Sequence, residues 1–502
     1  MKLRTPIVLS LLACFALTSA AQDYAKYMNL IDSVNMRTTL TRLASDEFLG
    51  RKTDNEGIKL AESYLIEQLK SYKIASPFGS TYKQDIEAHQ KLSAPQKYFN
   101  LGGYNYSNFY SYQNSATQDS VISGDEIVFA GYGVYHSTLN DFAKVDINNK
   151  IVMLLSGNGP TSKYGVQKHN ASRKSYDEYF ATQKPKAVIT VEYGFDTYGN
   201  YNSKDVEYYS SSKQTSYPSI RVNEILANRI LEPSGKSIKQ ILYESEQSDS
   251  SLAFSLSNKV TFNGNYQYQN ANLNNLIAVV EGSDLKSEYV VVTAHYDHVG
   301  TNYRKEVLNG ADDNASGVSA LLEMARVLSI AKKEGKGPRR SVLFILLTAE
   351  EDGLKGAEYY VNNPVAPLKK TVVCLNMDMV GRIKPEPTEE ELQKGYIHAI
   401  TGTYSANDSL SNAIDSINAK TIGLTISKKY SSYFRQSDQY EFASKDVPAV
   451  MFTSGEHPDY HRTTDDVEKI NFPALRQRAQ LIFATLWEFA NTSKPFISAK
   501  KE

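Results

Sequence analysis

The chain has 502 residues, of which 41% are hydrophobic and 22% are charged, a composition typical of globular proteins. At about 100 to 200 residues per domain, this length predicts about two to four domains with cores of their own and excludes a single small module. The 55 Lys and Arg residues nearly balance the 56 Asp and Glu residues. Without a strong overall charge, nucleic acids and anionic membrane surfaces are poor candidates as partners.

The N-terminus has the pattern of a secretory signal. Two basic residues precede an apolar run at residues 7–17, and small residues follow it at 19–21. This run is about half as long as the ~20 residues of a membrane-spanning helix. We therefore predict a signal peptide at residues 1–21 and an exported, periplasmic or secreted protein with no transmembrane segment. Residues before Cys14 also resemble a lipobox, so a lipoprotein anchored through Cys14 is the alternative.

The segment from residue 22 to 94 has a helical pattern. Ile58, Ala61, Leu65 and Leu69 recur at the spacing of one helix face. We interpret this segment as the helical N-terminal part of the main domain.

The pattern changes between residues 95 and 271. Short apolar runs at 127–130, 151–155 and 187–191 are separated by turns rich in Gly, Ser, Asn and Tyr. This texture predicts a separate β-rich domain, inserted into the main one.

From residue 272 to 495, before a short tail at 496–502, apolar strands alternate with amphipathic helices. The predicted elements are, in chain order, 289–293, 318–328, 342–347, 357–361, 372–377, 447–452 and 475–489. Such alternation predicts an α/β fold with a mixed, mostly parallel central sheet flanked by helices.

Polar residues follow several of these predicted strands. His295 and Asp297 lie two residues apart, so they share a strand face and suit a metal ligand and its hydrogen-bond partner, although such a pair is more often structural. Glu350 and Glu351 follow the next strand, and Asp378 the one after it. Because the carboxyl ends of parallel strands meet at one edge, these groups are expected to lie close together, with a cation among the carboxylates.

Two more candidate ligands complete the set. Residues 310–317 open a predicted helix, yet helix capping explains only part of their polar content, which includes Asp313. His461 follows the strand at 447–452. Two His and three carboxylates suit two Zn²⁺ ions that share one carboxylate and activate a water, with Glu350 left as the general base. The five ligands are His295, Asp313, Glu351, Asp378 and His461.

The order and content of six sequence blocks match a known family. The chain resembles the co-catalytic zinc aminopeptidases of the secreted bacterial leucyl aminopeptidase type, which are related to glutamate carboxypeptidase and the transferrin receptor. The resemblance implies a zinc exopeptidase, phosphorylase/hydrolase-like fold. The blocks are A-H-Y-D-H-V-G (294–300), N-G-A-D-D-N-A-S-G (309–317), T-A-E-E-D-G-L-K-G-A (348–357), L-N-M-D-M-V-G-R (375–382), S-D-Q-Y-E-F (437–442) and Y-H-R-T-T-D-D (460–466).

The resemblance also implies a role for each residue. Asp313 would bridge two zinc ions, one completed by His295 and Asp378, the other by Glu351 and His461. The remaining roles are the general base for Glu350, the orientation of His295 for Asp297, and oxyanion stabilisation for Tyr460. For three further residues we expect supporting or surface positions: His298, His457 and Asp438.

Part of the inserted segment has a resemblance of its own. Residues 126–133 and 145–153 are similar to the protease-associated domain often inserted in this family. We therefore interpret residues 95–271 as such a domain.

The resemblance implies an exported di-zinc metallo-aminopeptidase that acts on peptides. One alternative is a glutamate-type carboxypeptidase, which would need basic residues such as Arg382 or Arg435 to hold a terminal carboxylate. Another is a non-catalytic receptor, which the full ligand set disfavours. The sequence leaves the preferred N-terminal residue, the peptide length and the oligomeric state open.

Overall fold

The structure is a computed structural model that describes most of the chain. Its residues are 24–93, 98–106, 110–113, 121–135, 140–156, 179–192, 206–209, 217–247, 251–263, 266–302, 304–384, 386–402, 406–427 and 431–493. The predicted signal peptide, Cys14 and the predicted tail lie outside these residues.

The chain folds into two compact units. Unit 1 combines the chain up to Glu87 with the chain from Ala271 onward, and unit 2 is Ala88–Asn270. The helices are α1 (Ser33–Leu43), α2 (Glu56–Ser71), α3 (Glu224–Leu231), α4 (Ile238–Gln247), α5 (Gly317–Lys333), α6 (Lys355–Asn362), α7 (Glu389–Lys394), α8 (Ala406–Lys420), α9 (Gln439–Ala443) and α10 (Phe472–Asn491). Short 3₁₀ turns are Asp46–Arg51, Glu232–Ser234, Leu368–Lys370, Ser431–Arg435 and Val467–Lys469.

Strands supply a sheet to each unit. They are β1 (Lys83–Ser93), β2 (Tyr98–Leu101), β3 (Tyr104–Tyr106), β4 (Tyr110–Gln113), β5 (Val121–Phe129), β6 (Ile151–Leu155), β7 (Ala187–Glu192), β8 (Val206–Tyr209), β9 (Ser219–Asn223), β10 (Phe254–Asn263), β11 (Tyr266–Val280), β12 (Leu285–His295), β13 (Arg340–Leu347), β14 (Thr371–Met377), β15 (Tyr396–Ile400), β16 (Thr425–Ser427) and β17 (Ala449–Thr453).

The sheet of unit 1 has the order β16-β15-β17-β14-β12-β13-β11-β1. Its centre is parallel, because β12 pairs in parallel with β13 and β14, and β14 pairs in parallel with β17. Antiparallel pairs join β15 to β17 and β11 to β13. The predicted mixed, mostly parallel central sheet is confirmed.

Residues 290–294 of β12 are almost entirely apolar, because both faces of the strand are buried there. Val290 and Val292 pack on the side of α5 and α10, whereas Val291 packs on the opposite side with Ala357 of α6 and Phe442 of α9. All three valines have no exposed surface. This central position makes the end of β12 a rigid place for a functional side chain.

The register of the parallel strands brings their carboxyl ends to the same edge. His295, the last residue of β12, is opposite Leu347, the last residue of β13. Met377, the last residue of β14, is opposite Phe452 of β17. The residues that follow these strands therefore start from neighbouring positions.

Unit 2 has a sheet of order β3-β2-β10-β5-β6-β7-β9-β4, in which β5, β6, β7 and β9 run parallel. Ile151 and Met153 of β6 face one core, and Val152 and Leu154 face another. The interpretation of this unit as a protease-associated domain stays a prediction. Across both units, no helix in the described residues has the length and apolar content to cross a bilayer.

Candidate metal centre

His295 opens the site at the end of β12. Its Nε2 lies 3.3 Å from Oδ1 of Asp378, the residue that follows β14, and 3.4 Å from Oδ1 of Asp313. Its Nδ1–H donates to the backbone carbonyl of Asp297 over 3.2 Å. With Nδ1 protonated, Nε2 presents its lone pair toward the two carboxylates.

Asp313 lies in an irregular turn, Ala311–Ser316, that precedes α5. The sequence predicted that a helix opens in this segment, but Asp313 and Asn314 have non-helical backbone angles. The turn aims the two oxygens of Asp313 in different directions, with Oδ1 toward His295 and Oδ2 3.0 Å from Nε2 of His461. One carboxylate thus contacts two histidines that are far apart in the sequence.

A second group of side chains lies on the Oδ2 side of Asp313. His461 Nε2 is 3.1 Å from Oε1 of Glu351. Nδ1 of His298 is 3.0 Å from the same Glu351 oxygen and 3.6 Å from Oδ2 of Asp313. These four side chains form one group that could hold a metal ion, and Glu350 joins His295 and Asp378 in another.

The distances between donor atoms suit zinc. Zn–N and Zn–O bonds of about 2.0 Å in a tetrahedral site place neighbouring ligand atoms about 3.3 Å apart. The pairs formed by Asp313 with His295 and His461, at 3.4 and 3.0 Å, are close to this value. Imidazole and carboxylate are also the ligand types that zinc takes in catalytic sites.

The electrostatics of these side chains indicate a need for positive charge. Burial raises the pKa of Glu350 well above its usual range, and the nearby carboxylates of Asp378 and Glu351 add to this. Burial lowers the pKa of His461, but Glu351 and Asp313 outweigh it and raise that pKa to about 12. Both shifts reflect closely spaced carboxylates, whose negative charge metal ions could balance.

Three residues next to the site have left-handed backbone conformations although none is glycine. Ala349 has φ of 53°, Met379 has φ of 58° and His461 has φ of 52°. Each such residue costs about 1 to 2 kcal/mol. Surrounding packing holds these conformations, and strain of this kind is typical of functional sites.

Asp297 connects both glutamates to His295. Its Oδ1 accepts a hydrogen bond from the backbone N–H of Glu350 over 3.2 Å, and its Oδ2 accepts one from Glu351 over 3.3 Å. The carboxylate is fully buried. Asp297 therefore positions the loop after β13 as well as the loop that carries His295.

A buried arginine also holds the loops around the site. Arg51 donates hydrogen bonds to the carbonyl oxygens of Leu43, Tyr296, Asn309 and Gly310 over 2.7 to 3.0 Å. It has no exposed surface. The guanidinium joins the N-terminal segment to the loops that carry His295 and Asp313.

The comparison with family models decides the classification of this part of the chain. Residues 275–486, which include every residue of both candidate groups, match the model of peptidase family M28. Residues 275–486 are a peptidase family M28 domain.

The names of several curated relatives are those of peptidases, in agreement with the M28 match. The chain is 29% identical over 244 residues to aminopeptidase YwaD of Bacillus subtilis (strain 168), covering 47% of this chain and 49% of the relative. It is 30% identical over 223 residues to leupeptin-inactivating enzyme 1 of Streptomyces exfoliatus, covering 42% and 48%. The chain thus spans about half the length of the curated relatives it matches.

Solved structures resemble the chain over nearly all of its length, beyond the M28 domain. An aminopeptidase from Aneurinibacillus sp. strain AM-1 matches with a TM-score of 0.62 and 20% identity, covering 94% of this chain and 97% of that one. A zinc aminopeptidase from Bacillus subtilis matches with a TM-score of 0.52 and 20% identity, covering 92% and 96%. These likenesses show that the fold is shared.

The M28 domain brings the predicted site residues together. The five predicted ligands lie within the two groups described above, with Glu350 beside His295 and Asp378. The ring of Tyr460 stacks on that of His461 with centroids 3.8 Å apart, and the tyrosine is 38% exposed. Their roles as ligands, base and oxyanion donor stay predictions.

Three other polar residues of the M28 domain, for which supporting or surface positions were expected, are buried. His298 was expected in a supporting or surface position, and it is buried and contacts Glu351. His457 is buried with Nε2 3.4 Å from Oδ2 of Asp312, and Asp438 is fully buried. The sequence signal for His298 was its place inside the block at 294–300, which does not by itself indicate a contact.

Proposed function

We propose that this protein is a di-zinc metallo-aminopeptidase that hydrolyses N-terminal residues from peptides. The observation that carries the proposal is the position of Asp313, whose Oδ1 lies 3.4 Å from His295 Nε2 and whose Oδ2 lies 3.0 Å from His461 Nε2. A carboxylate between two groups of ligand atoms suits a bridging ligand. The names of the aminopeptidase relatives support the same reaction.

The chain offers three ligands to each ion. His295 and Asp378 would hold one zinc, Glu351 and His461 would hold the other, and Asp313 would be shared. Two ions bound in this way would supply a water of lowered pKa and would polarise the carbonyl of the scissile bond. Three protein ligands per ion leave a coordination position open, as hydrolysis requires.

Glu350 is the proposed general base. Its side chain lies beside His295 and Asp378, and burial raises its pKa well above the usual range of a glutamate. A carboxylate with a raised pKa takes up the proton of the attacking water more readily, and it can pass that proton to the leaving amine. Asp297 fixes the backbone of Glu350 and thereby the position of this carboxylate.

Tyr460 is the proposed donor to the oxyanion. Its ring stacks on the ring of His461, and it keeps 38% of its surface exposed. The stack positions the side chain near a ligand while leaving it accessible to a substrate. A hydroxyl group there would donate to the developing negative charge.

Export and the role of unit 2 belong to the same proposal. The basic and apolar pattern of residues 1–21 supports an exported protein. Unit 2 would be an inserted protease-associated domain. N-terminal sequencing of the protein recovered from its native host would test export, because an uncleaved Met1 contradicts it.

The decisive experiment combines metal analysis with matched substrates. Purified protein should contain two equivalents of zinc and cleave aminoacyl p-nitroanilides, and it should leave the N-acetylated counterparts intact because the free amine is required. Chelation should abolish cleavage, and Zn²⁺ or Co²⁺ should restore it. Activity that ignores chelators would exclude the metal mechanism. Cleavage of N-blocked peptides from their C-terminus would replace the aminopeptidase with a carboxypeptidase.

A further inference from the structure

His298 is the one member of the second ligand group to which the two-zinc arrangement assigns no role. It is 1% exposed, and Nδ1 of its ring lies 3.0 Å from Oε1 of Glu351. The next carboxylate oxygen, Oδ2 of Asp313, is 3.6 Å away. The ring therefore makes its closest polar contact with Glu351.

The orientation of this ring is restricted from two sides. The backbone N–H of His298 donates to the carbonyl oxygen of Arg51 over 3.2 Å. Gly310 lies against the ring, where a Cβ on this glycine would be 2.5 Å from Cδ2 of His298. Since Gly310 also has a left-handed φ of 57°, any other residue there would be strained and would displace the imidazole. The local structure thus keeps Nδ1 directed at Glu351.

The surroundings of the two ring nitrogens indicate which one carries the proton. Nδ1 faces carboxylate oxygens, and an ionised carboxylate can accept hydrogen bonds but cannot donate them. Nε2 is buried and has no hydrogen-bond partner among the described residues. A buried N–H without an acceptor is rarer in proteins than a buried acceptor without a donor. The proton therefore belongs on Nδ1, where it meets an acceptor.

We propose that His298 is a positioning residue whose Nδ1–H donates to Oε1 of Glu351 and holds that oxygen toward the metal site. The inference rests on the proposed two-zinc function, which it deepens. A protonated Nδ1 has no lone pair for a metal, so His298 supports the ligand Glu351 instead of becoming a fourth ligand. The second ion would then have three protein ligands and an open position.

Two substitutions separate hydrogen bonding from metal binding. His298→Asn removes the imidazole but places a side-chain N–H close to the position of Nδ1. His298→Ala removes both the imidazole and the N–H donor. Residues that orient zinc ligands typically contribute about 10- to 100-fold to metal affinity. We therefore expect His298→Ala to weaken one of the two zinc sites by about 10- to 100-fold, and His298→Asn to stay near the wild-type affinity.

The readout is the stoichiometry and dissociation constant of zinc, measured by competition with a chromogenic chelator. His398→Ala serves as the matched control, because His398 is also a buried histidine but lies on β15, with Gly455 beside it. Equal losses in His298→Ala and His298→Asn would overturn the donor role and indicate a ligand. Two sites of wild-type affinity in His298→Ala would overturn any role in metal binding.

A measurement on the unsubstituted holoenzyme avoids the risk that a variant fails to fold. In protein labelled with ¹⁵N-histidine, the chemical shifts of His298 should show a protonated Nδ1 and an unprotonated Nε2. A protonated Nε2 with a metal-bound Nδ1 would overturn the proposal. A wild-type protein that binds fewer than two zinc ions would instead overturn the proposed function, and this inference with it.

Discussion

The carboxylate of Asp465 accepts a hydrogen bond from the backbone N–H of Asp313, with 3.2 Å between Oδ2 and the nitrogen. The same oxygen accepts the N–H of Asp312 over 3.0 Å, and Oδ1 of Asp465 lies 3.2 Å from Nη1 of Arg382. Asp465 therefore holds the turn that presents the proposed bridging carboxylate, and Arg382 holds Asp465. This chain of contacts joins the segment after β17 to the turn before α5.

Asp465→Asn is expected to weaken zinc binding by about 10- to 100-fold, the usual effect of losing a group that orients a ligand. An amide has a single acceptor oxygen, so it can satisfy the two backbone N–H groups only by turning its NH₂ toward the guanidinium of Arg382. Zinc titration with a competing chelator measures the change. Asp466→Asn is the matched control, because the neighbouring carboxylate of Asp466 accepts a hydrogen bond from the side chain of Asn309 over 3.3 Å. Equal zinc affinity in both variants would contradict the role of Asp465.

Glu350→Gln is expected to keep both zinc ions. Its rate of peptide hydrolysis should fall by about 100-fold or more, because glutamine does not accept the proton of the attacking water. Glu351→Gln should instead lose zinc from one site, since it replaces a proposed ligand. Metal content and single-turnover rates of the two variants distinguish the roles. The distinction matters because Glu350 lies in one of the two groups that could hold a metal ion. Loss of zinc in Glu350→Gln would make it a ligand.

Metal removal is expected to lower the thermal stability of the protein. The converging carboxylates repel one another without a cation, and a ligand present at about 1,000 times its dissociation constant stabilises the folded state by about 4 kcal/mol. Differential scanning fluorimetry of the zinc-loaded and chelated forms should show a fall in Tm of several degrees or more. Glu351→Ala should show a smaller response to the chelator than the wild type. A Tm that is the same with and without zinc would contradict a metal site at this position.

Unit 2 offers a pH prediction that is independent of the metal. Burial raises the pKa of Asp141 to about 6, although backbone N–H groups at residues 132–134 donate to its carboxylate. Because this pKa is higher in the folded protein than in the unfolded chain, the folded form binds the proton more tightly. The resulting stabilisation is complete below about pH 4 and is lost as the pH rises through about 6, by about 3 kcal/mol for a shift of two pKa units.

Asp141→Asn should remove this dependence, because an amide does not titrate. Hydrogen exchange of the β5 and β6 amides, followed from pH 4 to 7 in both proteins, measures the stability of unit 2 directly. The difference between wild type and variant should change as the pH rises from 4 through about 6 and should level off toward pH 7. Parallel curves for the two proteins would show that Asp141 titrates at its usual pKa.

Much of the fold could be predicted because its signals are local. The continuous apolar run in β12 and the helical spacing in α5 are properties of neighbouring residues, and both elements form where the sequence placed them. The turn Ala311–Ser316 was harder, since its backbone depends on acceptors such as Asp465, more than 140 residues later. Propensity predicted a helix there, and tertiary contacts determined otherwise.

The sequence by itself determined the parallel sheet, the edge where polar residues gather and the chemical types of the candidate ligands. These features follow from the spacing of apolar residues, the length of each apolar run and the residue types, all of which are properties of neighbouring residues. Only the tertiary structure decided which oxygen of Asp313 faces which histidine, that Asp297 holds both glutamates, and that His298 is directed at Glu351. These relationships are contacts of 3.0 to 3.4 Å between groups that lie far apart in the sequence. Such distances are set by how the strands and helices pack together, and a linear pattern does not contain them.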